Sequence, residues 1–514
     1  MDARANFRLG ILALSLALLM IPAGCSYFRS TPDPNTVTFL IESAPTNLDP
    51  RIGADAFSAH IDGLIFSSLV AHDAQMNVIP DLAERWETPD PLTYVFHLRS
   101  GVKFHDGREL TSEDVKFTFD SIISGRVKTP KRGAFRLVTS TEAPDAHTFV
   151  FRLREPYASF LFGLTRPSVG IVPRDSDAST SQHPIGTGPF RFVSAMRDEE
   201  IVLERNPDYF GGAPKIDRVR FRIVPDAIVR ALELRKGSAD AEINSLTPDM
   251  SAALAKQPGL VVEEQPGTPL AYISFNFEDP ILAHREVRQA LAYATDRATL
   301  VKYLLHGQAR LATGLLPPNH WAFDPDVAQY GYDPTRAEQL LDSAGFPRGA
   351  DGTRFHLALK TSTDESTRLT SAAIADQWKR VGIALDLRPL EFATFFSDIS
   401  RGSFQLYTLR WVGANNDPDI FEYVFGSKKI PPDGANRGRY RNPALDALLD
   451  SARVEMNQEK RKAILWQIQK IVAEDEPYIN LWYPDNVCVH RTRLIDISIP
   501  PGGDYEFLDT ARLQ

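Results

Sequence analysis

A chain of 514 residues, 43% hydrophobic and 24% charged, is long enough to build more than one lobe with its own core. Its net charge of −9 is spread without long like-charge blocks, which excludes the basic patch that nucleic acid demands of a partner. Nothing beyond residue 25 is apolar enough to span a bilayer, and with only Cys25 and Cys488 available, stability has to come from packing rather than from disulfides.

In residues 1–25, Arg4 and Arg8 precede the apolar run Leu9–Ile21, and Ala23 and Gly24 precede Cys25. This is the layout of an export signal. The Ala-Gly-Cys ending resembles the bacterial lipobox, which implies a lipidated Cys25 as the mature N-terminus, although Pro22 stands where such signals carry Leu or another aliphatic residue. Ser26–Asn35, rich in Ser, Thr and Pro, reads as a tether. Cys488, in an Asn-Val-Cys-Val context, reads as a small core residue.

Thr36–Glu42 alternates β-branched and aromatic residues as a strand does, and a helix-like stretch follows from Ser58 to Val70. Tyr94–Arg99 has the period of a half-buried strand, and His105-Asp106-Gly107 is a tight turn. Thr111, with Glu113 and Asp114, opens a helix whose apolar face is Val115, Phe119 and Ile122. Glu200–Leu203 and Val219–Val224 are strand-like runs divided by turn residues. Asp333-Pro334 and Asn442-Pro443 each start a helix, and Lys460–Ala473 has helical spacing. Further on, Phe404–Leu409 reads as a buried strand followed by Arg410–Phe421, a loop with Gly413, two Asn, two Asp and Pro418. A polar loop directly after a buried strand suits either a ligand site or a turn whose acids cap the next helix.

Several blocks in order carry a resemblance. They are Ile79–Trp86, Gly101–Gly107 with Leu110–Val115, Gly186-Thr187-Gly188-Pro189-Phe190 leading to Ile201–Phe210, Glu286–Leu291 with Asp296-Arg297, and Tyr332-Asp333-Pro334 with Ala337–Phe346. Together they resemble the extracytoplasmic solute-binding proteins of ABC transporters, family 5, the peptide/nickel-binding type, over nearly the whole mature chain. The resemblance implies an α/β, two-lobed periplasmic-binding-protein fold of the type II large cluster, with an inserted subdomain and a two-strand hinge. The implied hinge strands are Leu270–Phe277 and a segment within Tyr478–Val489. Lobe I would then be residues 36–268 plus 486–514, with the insertion at about 60–185, and lobe II would be 269–485.

The resemblance also implies a function: capture of oligopeptide or dipeptide-like solutes in an interlobe cleft and delivery to an ABC permease and ATPase complex. The protein is expected to be extracytoplasmic, monomeric and membrane-attached through its lipid. The alternatives are another polar solute (sugar, opine, metal chelate) or a structural or sensory lipoprotein that kept the fold. In the resembled peptide-binding proteins the loop after this strand supplies a Trp and, three residues on, an Asp that pairs with the ligand amine. Here the Trp is Trp411, but the later position is Ala414. The ligand-binding candidates are therefore Trp411, Val412, Gly413, Ala414, Asn415 and Asp417. Asn244 and Ser245 at a strand end, Tyr272 on the first crossing, and Arg368, placed to meet a carboxylate, complete the set. No nucleophile elbow or activated cysteine points to an enzyme. The scattered His residues lack metal-ligand spacing, so neither metal nor cofactor is expected.

Overall fold

The computed structural model describes residues 34–165 and 169–514. The expected export signal, Cys25 and the expected tether up to Asp33 lie outside the described residues. Two large sheets organise the chain. The first has seven strands in the order Leu260–Gln265, Asn486–Arg491, Ala241–Ile243, Thr36–Ile41, Arg218–Ile223, Glu200–Arg205 and Phe190–Met196. Thr36–Ile41 is buried along its whole length and runs parallel to both neighbours. That accounts for its β-branched and aromatic composition, since a parallel strand is covered on both faces. Phe39 lies opposite Phe221, with ring centres 5.5 Å apart.

The second sheet has six strands, ordered Ala309–Leu311, Tyr478–Pro484, Leu270–Phe275, Leu406–Trp411, Phe355–Ser362 and Ile383–Leu390. Its strand Leu270–Phe275 separates two cores. Ala271, Ile273 and Phe275 pack with Trp378 on one face, while Leu270 and Tyr272 pack with Phe395, Ile399 and Leu465 on the other. The period-two alternation read from the sequence is thus divided between two apolar faces.

A third, four-stranded antiparallel sheet lies between the first strand and the rest of the first lobe in sequence, in the order Ala83–Asp90, Thr93–Leu98, Thr148–Leu153 and Val138–Asp145. The helix Ser112–Ile123 covers it, started by the reciprocal capping box of Thr111 and Asp114. Val115, Phe119 and Ile122 are buried as their spacing predicts, Phe119 in an aromatic cluster with Phe149 and Phe151.

One element is shorter than predicted. The helix placed over Ser58–Val70 runs Ala56–Ile65, and Val70–His72 pairs as a strand with Val78–Pro80. Phe66 turns to an extended conformation, and the Ile65 carbonyl accepts the Gly188 amide at 2.9 Å instead of continuing the helix. This contact also explains the Gly186-Thr187-Gly188 block: a Cβ at Gly186 would meet the Ile65 carbonyl at 2.0 Å, and one at Gly188 the Leu64 carbonyl at 2.6 Å.

The chain passes between the two large sheets twice. Leu260–Gln265 continues through Pro266–Pro269 into Leu270–Phe275, and Tyr478–Pro484 continues through Asp485 into Asn486–Arg491. The result is two lobes held by paired crossings. The crossings touch each other, because a Cβ on Gly267 would stand 2.3 Å from the Pro484 carbonyl.

Candidate functional site: the edges facing the crossings

Strand direction determines which loops gather at the crossings. In the first sheet, Thr36–Ile41 and Ala241–Ile243 are parallel, and Asn486–Arg491 runs antiparallel beside them. The carboxyl ends of the first two therefore reach the edge where the chain leaves through Gln265 and re-enters at Asn486. In the second sheet, Phe355–Ser362, Ile383–Leu390 and Leu406–Trp411 are parallel to one another, and Trp411 lies opposite Leu270, the first residue after the crossing. Both sheets thus present carboxyl-terminal strand ends to the same junction, the position where open α/β sheets bind ligands.

The loop after Trp411 is held from behind and open in front. Asn415 is fully buried, and its Nδ2 donates to the Thr268 carbonyl on the first crossing and, at 3.2 Å, to the Leu315 carbonyl. His320 supports the next residue. Its Nδ1 accepts the Ala322 amide at 3.0 Å, which leaves Nε2 protonated to donate to the Asn416 carbonyl at 3.2 Å. Burial pushes its pKa down to about 4, so the ring is neutral. Val412 at the tip is 65% exposed, and Gly413 adopts φ +72° with nothing within 4 Å of where a Cβ would stand. Ala414 belongs to the 3₁₀ turn Ala414–Asn416.

The wall beside the loop is aromatic. Trp411 stacks on Tyr272 with ring centres 6.0 Å apart, and Tyr272 on Tyr478 at 4.2 Å. Tyr272 is completely buried, so it backs Trp411 rather than reaching the open surface. Tyr423 (47% exposed) meets Trp411 edge-on, and Phe392 (55%) stacks with Phe396 (40%) on the helix that starts after Leu390. Arg437 lies between Phe396 and Trp411, with its guanidinium over both rings.

The other predicted residues take distinct places. Asn244 is exposed, in a left-handed conformation, with Nδ2 donating to Asn486 Oδ1 and Oδ1 accepting the Val487 amide, both at 2.9 Å. It joins the end of its strand to the second crossing. Ser245 donates through its amide and hydroxyl to buried Glu242, at 3.0 and 2.5 Å. Arg368 is exposed on the helix Glu365–Arg380, which begins at the same edge as Trp411, and its side chain makes no hydrogen bond or ion pair among the described residues. Asp417 is committed elsewhere: Oδ1 accepts the Ser159 hydroxyl at 2.7 Å and the Asp419 amide at 2.9 Å. Arg437, Phe392, Phe396 and Tyr423 were absent from the sequence reading. The i, i+4 pair Phe392 and Phe396 was the available signal, but which helix face it occupies is decided only by the buried Phe395 between them. Among the described residues no group of three or more His, Cys, Asp or Glu could hold a metal ion.

Two α/β lobes joined by paired crossings, with strand ends and an aromatic wall at the junction, define a two-lobed protein of the periplasmic-binding-protein fold. The family model for bacterial extracellular solute-binding proteins, family 5 (middle), matches residues 77–431, and the chain belongs to that family. Di/tripeptide-binding protein 1 of Pseudomonas aeruginosa is 28% identical, with 99% of each chain covered. Heme-binding protein A of Haemophilus influenzae is 30% identical over 87% of this chain and 86% of its own. Among solved structures, the ABC transporter-associated periplasmic binding protein DppA from Helicobacter pylori, in complex with the peptide STSA, superimposes with a TM-score of 0.75. It is 27% identical over 93% of this chain and 98% of its own.

Proposed function

We propose that the chain is the substrate-binding component of an ABC importer, capturing peptide-like solutes between its lobes and presenting them to a permease and ATPase complex. The observation that carries this reading is the convergence of Trp411, Val412, Phe392, Phe396 and Tyr423, all apolar and most of them exposed, at the junction of the two sheets. A ligand enclosed there meets apolar walls at carboxyl-terminal strand ends, which suits an extended peptide. The relatives named for peptides support the class of solute. Trp411, Val412, Gly413, Ala414 and Arg368 on one side, and Asn244 and Ser245 on the other, form the proposed lining, with buried Asn415 holding the loop from behind. Tyr272 supports it, and Asp417 fixes the loop.

The proposed lobes are residues 36–268 with 486–514, carrying the insertion at about 60–185, and residues 269–485. The two crossings support these limits. Closure about the crossings would bury the solute. At the N-terminus, export with lipidation of Cys25 would hold the monomer at a membrane, at the extracytoplasmic face.

Native mass spectrometry of the purified protein tests the reading: a copurifying peptide mass is expected, while a sugar, opine or metal-chelate mass would replace it. Aspartate introduced at position 414 tests the loop. Ala414→Asp is expected to raise affinity for free-amine dipeptides by about tenfold or more, as an ion pair in a dry cleft should.

A further inference from the structure

Beneath the aromatic wall lies a guanidinium without a counter-charge. Arg437 is only 7% exposed, its guanidinium carbon 4.9 Å from the centre of the Phe396 ring and 5.6 Å from that of Trp411. Its Nε and Nη1 are buried with no hydrogen-bond partner. The backbone explains the placement. The next residue, Gly438, crosses the central strand so closely that a Cβ would meet the Phe275 carbonyl at 2.5 Å, which brings Arg437 down onto the sheet.

No carboxylate offsets this charge among the described residues. The polar groups around the guanidinium are the hydroxyls of Tyr407, Tyr272 and Tyr478. Burial raises those of Tyr272 and Tyr478 well above 10, so they stay neutral. Arginine remains protonated at any working pH, and an unpaired buried cation is unfavourable. The two aromatic faces and a side-chain hydrogen bond with Tyr407 offset part of that cost, but they leave Nε and Nη1 unused. Trp411 Nε1, in the same wall, is a third buried donor with no acceptor. The layer beneath the wall therefore holds three unpartnered donors and one fixed positive charge. What it lacks is an anionic acceptor.

We propose that Arg437, together with Trp411 Nε1, receives a carboxylate of the ligand, so that the solute is anchored through an anionic group rather than through a free α-amine. The inference rests on the reading that the ligand occupies this junction. It gives Ala414 a physical counterpart: the loop offers an ammonium no carboxylate at that position, and the wall offers a carboxylate a cation.

The test offers the purified mature protein a mixed dipeptide library in untreated, N-acetylated and carboxyl-methyl-esterified forms, with retained species quantified by native mass spectrometry. Acetylation is expected to change retention by less than about threefold and esterification to reduce it by about tenfold or more. Retention of the esterified form with loss of the acetylated form overturns the proposal and leaves the peptide reading standing. Retention of none of the forms removes the peptide reading, and hippurate and hippuramide titrations followed by tryptophan fluorescence then decide the carboxylate site. A response to hippurate alone upholds it, and equal or absent responses overturn it. Arg437→Gln should abolish binding of whichever carboxylate binds, while Arg437→Lys should retain part of it. Wild-type affinity in Arg437→Gln overturns the proposal.

Discussion

The hydroxyl of Ser159 donates to Asp417 Oδ1 at 2.7 Å, joining the segment after the four-stranded sheet to the loop that follows Trp411. Arg461 Nη2 completes the contact, donating at 2.7 Å both to Ser159 Oγ and to Asp419 Oδ1. Ser159 and Arg461 are buried, so each group depends on the others for its hydrogen bonds. Ser159→Ala is expected to lower stability by about 1–2 kcal/mol, and Asp417→Ala by about 2–3 kcal/mol because it also frees the Asp419 amide. Urea unfolding midpoints measure both. An Asp417→Ala variant as stable as wild type would dismiss this contact as a stabilising one.

Gly186 and Gly188 sit where backbone meets backbone at the end of the helix Ala56–Ile65. Added side-chain carbon has nowhere to go without moving that helix. Gly186→Ala and Gly188→Ala are each expected to cost about 2 kcal/mol or more, as overpacking against backbone does. Thermal unfolding reads the effect, and Gly133→Ala, where nothing lies within 4 Å of the added carbon, provides the comparison.

Two buried groups give opposite pH dependences. Burial lowers the His320 pKa from 6.5 to about 4, so between those values the unfolded chain takes up a proton that the native state refuses. Its contribution is complete above pH 6.5 and is lost as pH falls towards 4, up to about 3 kcal/mol. Glu242, also buried, is raised from 4.5 to about 7 by desolvation, against the lowering effect of its Ser245 hydrogen bonds. There the native state holds the extra proton, so stability present below pH 4.5 is lost as pH rises through about 7. Denaturant midpoints at pH 4.5, 6 and 8 should show His320→Gln flattening the acid limb and Glu242→Gln the neutral one.

Phe392 and Phe396 are exposed enough to be removed without damaging a core. The double variant Phe392→Ala, Phe396→Ala should keep stability within about 1 kcal/mol of wild type. Ligand affinity, measured by calorimetry with whatever solute the native protein carries, should fall by about tenfold. Unchanged affinity would place the ligand elsewhere.

For the N-terminus, Cys25→Ser is expected to move the protein from the membrane fraction to the soluble extracytoplasmic fraction. Membrane retention of that variant would argue against a lipid anchor at Cys25.

Much of the fold could be read from the chain because its signals are local. Thr36–Ile41 alternates and is buried, Thr111 with Asp114 caps a helix, and Asp333-Pro334 starts another with Asp333 accepting the Arg336 amide. The limit of the helix at Ile65 could not be read, because it depends on Gly188, far along the chain. The candidate site divides in the same way. Trp411 and its loop stood out through composition and order of motifs. Asp417 reads in sequence as a ligand candidate or, more readily, as a turn and helix-cap residue; it accepts the Asp419 amide, and Ser159 claims the same oxygen from 258 residues away in sequence.

By itself, the sequence determined the class of elements, their order and the family, since propensity, capping and punctuation act over a few residues and motif order survives divergence. Tertiary structure alone decided which polar groups are spent and which are left over. Arg437 reads in sequence as one more surface arginine between Asn436 and Gly438. It becomes a buried, unpaired cation only because Gly438 presses against Phe275 while Phe396 and Trp411, from two other elements, close over it. Burial and pairing are properties of the assembled surroundings, and no window of neighbouring residues contains them.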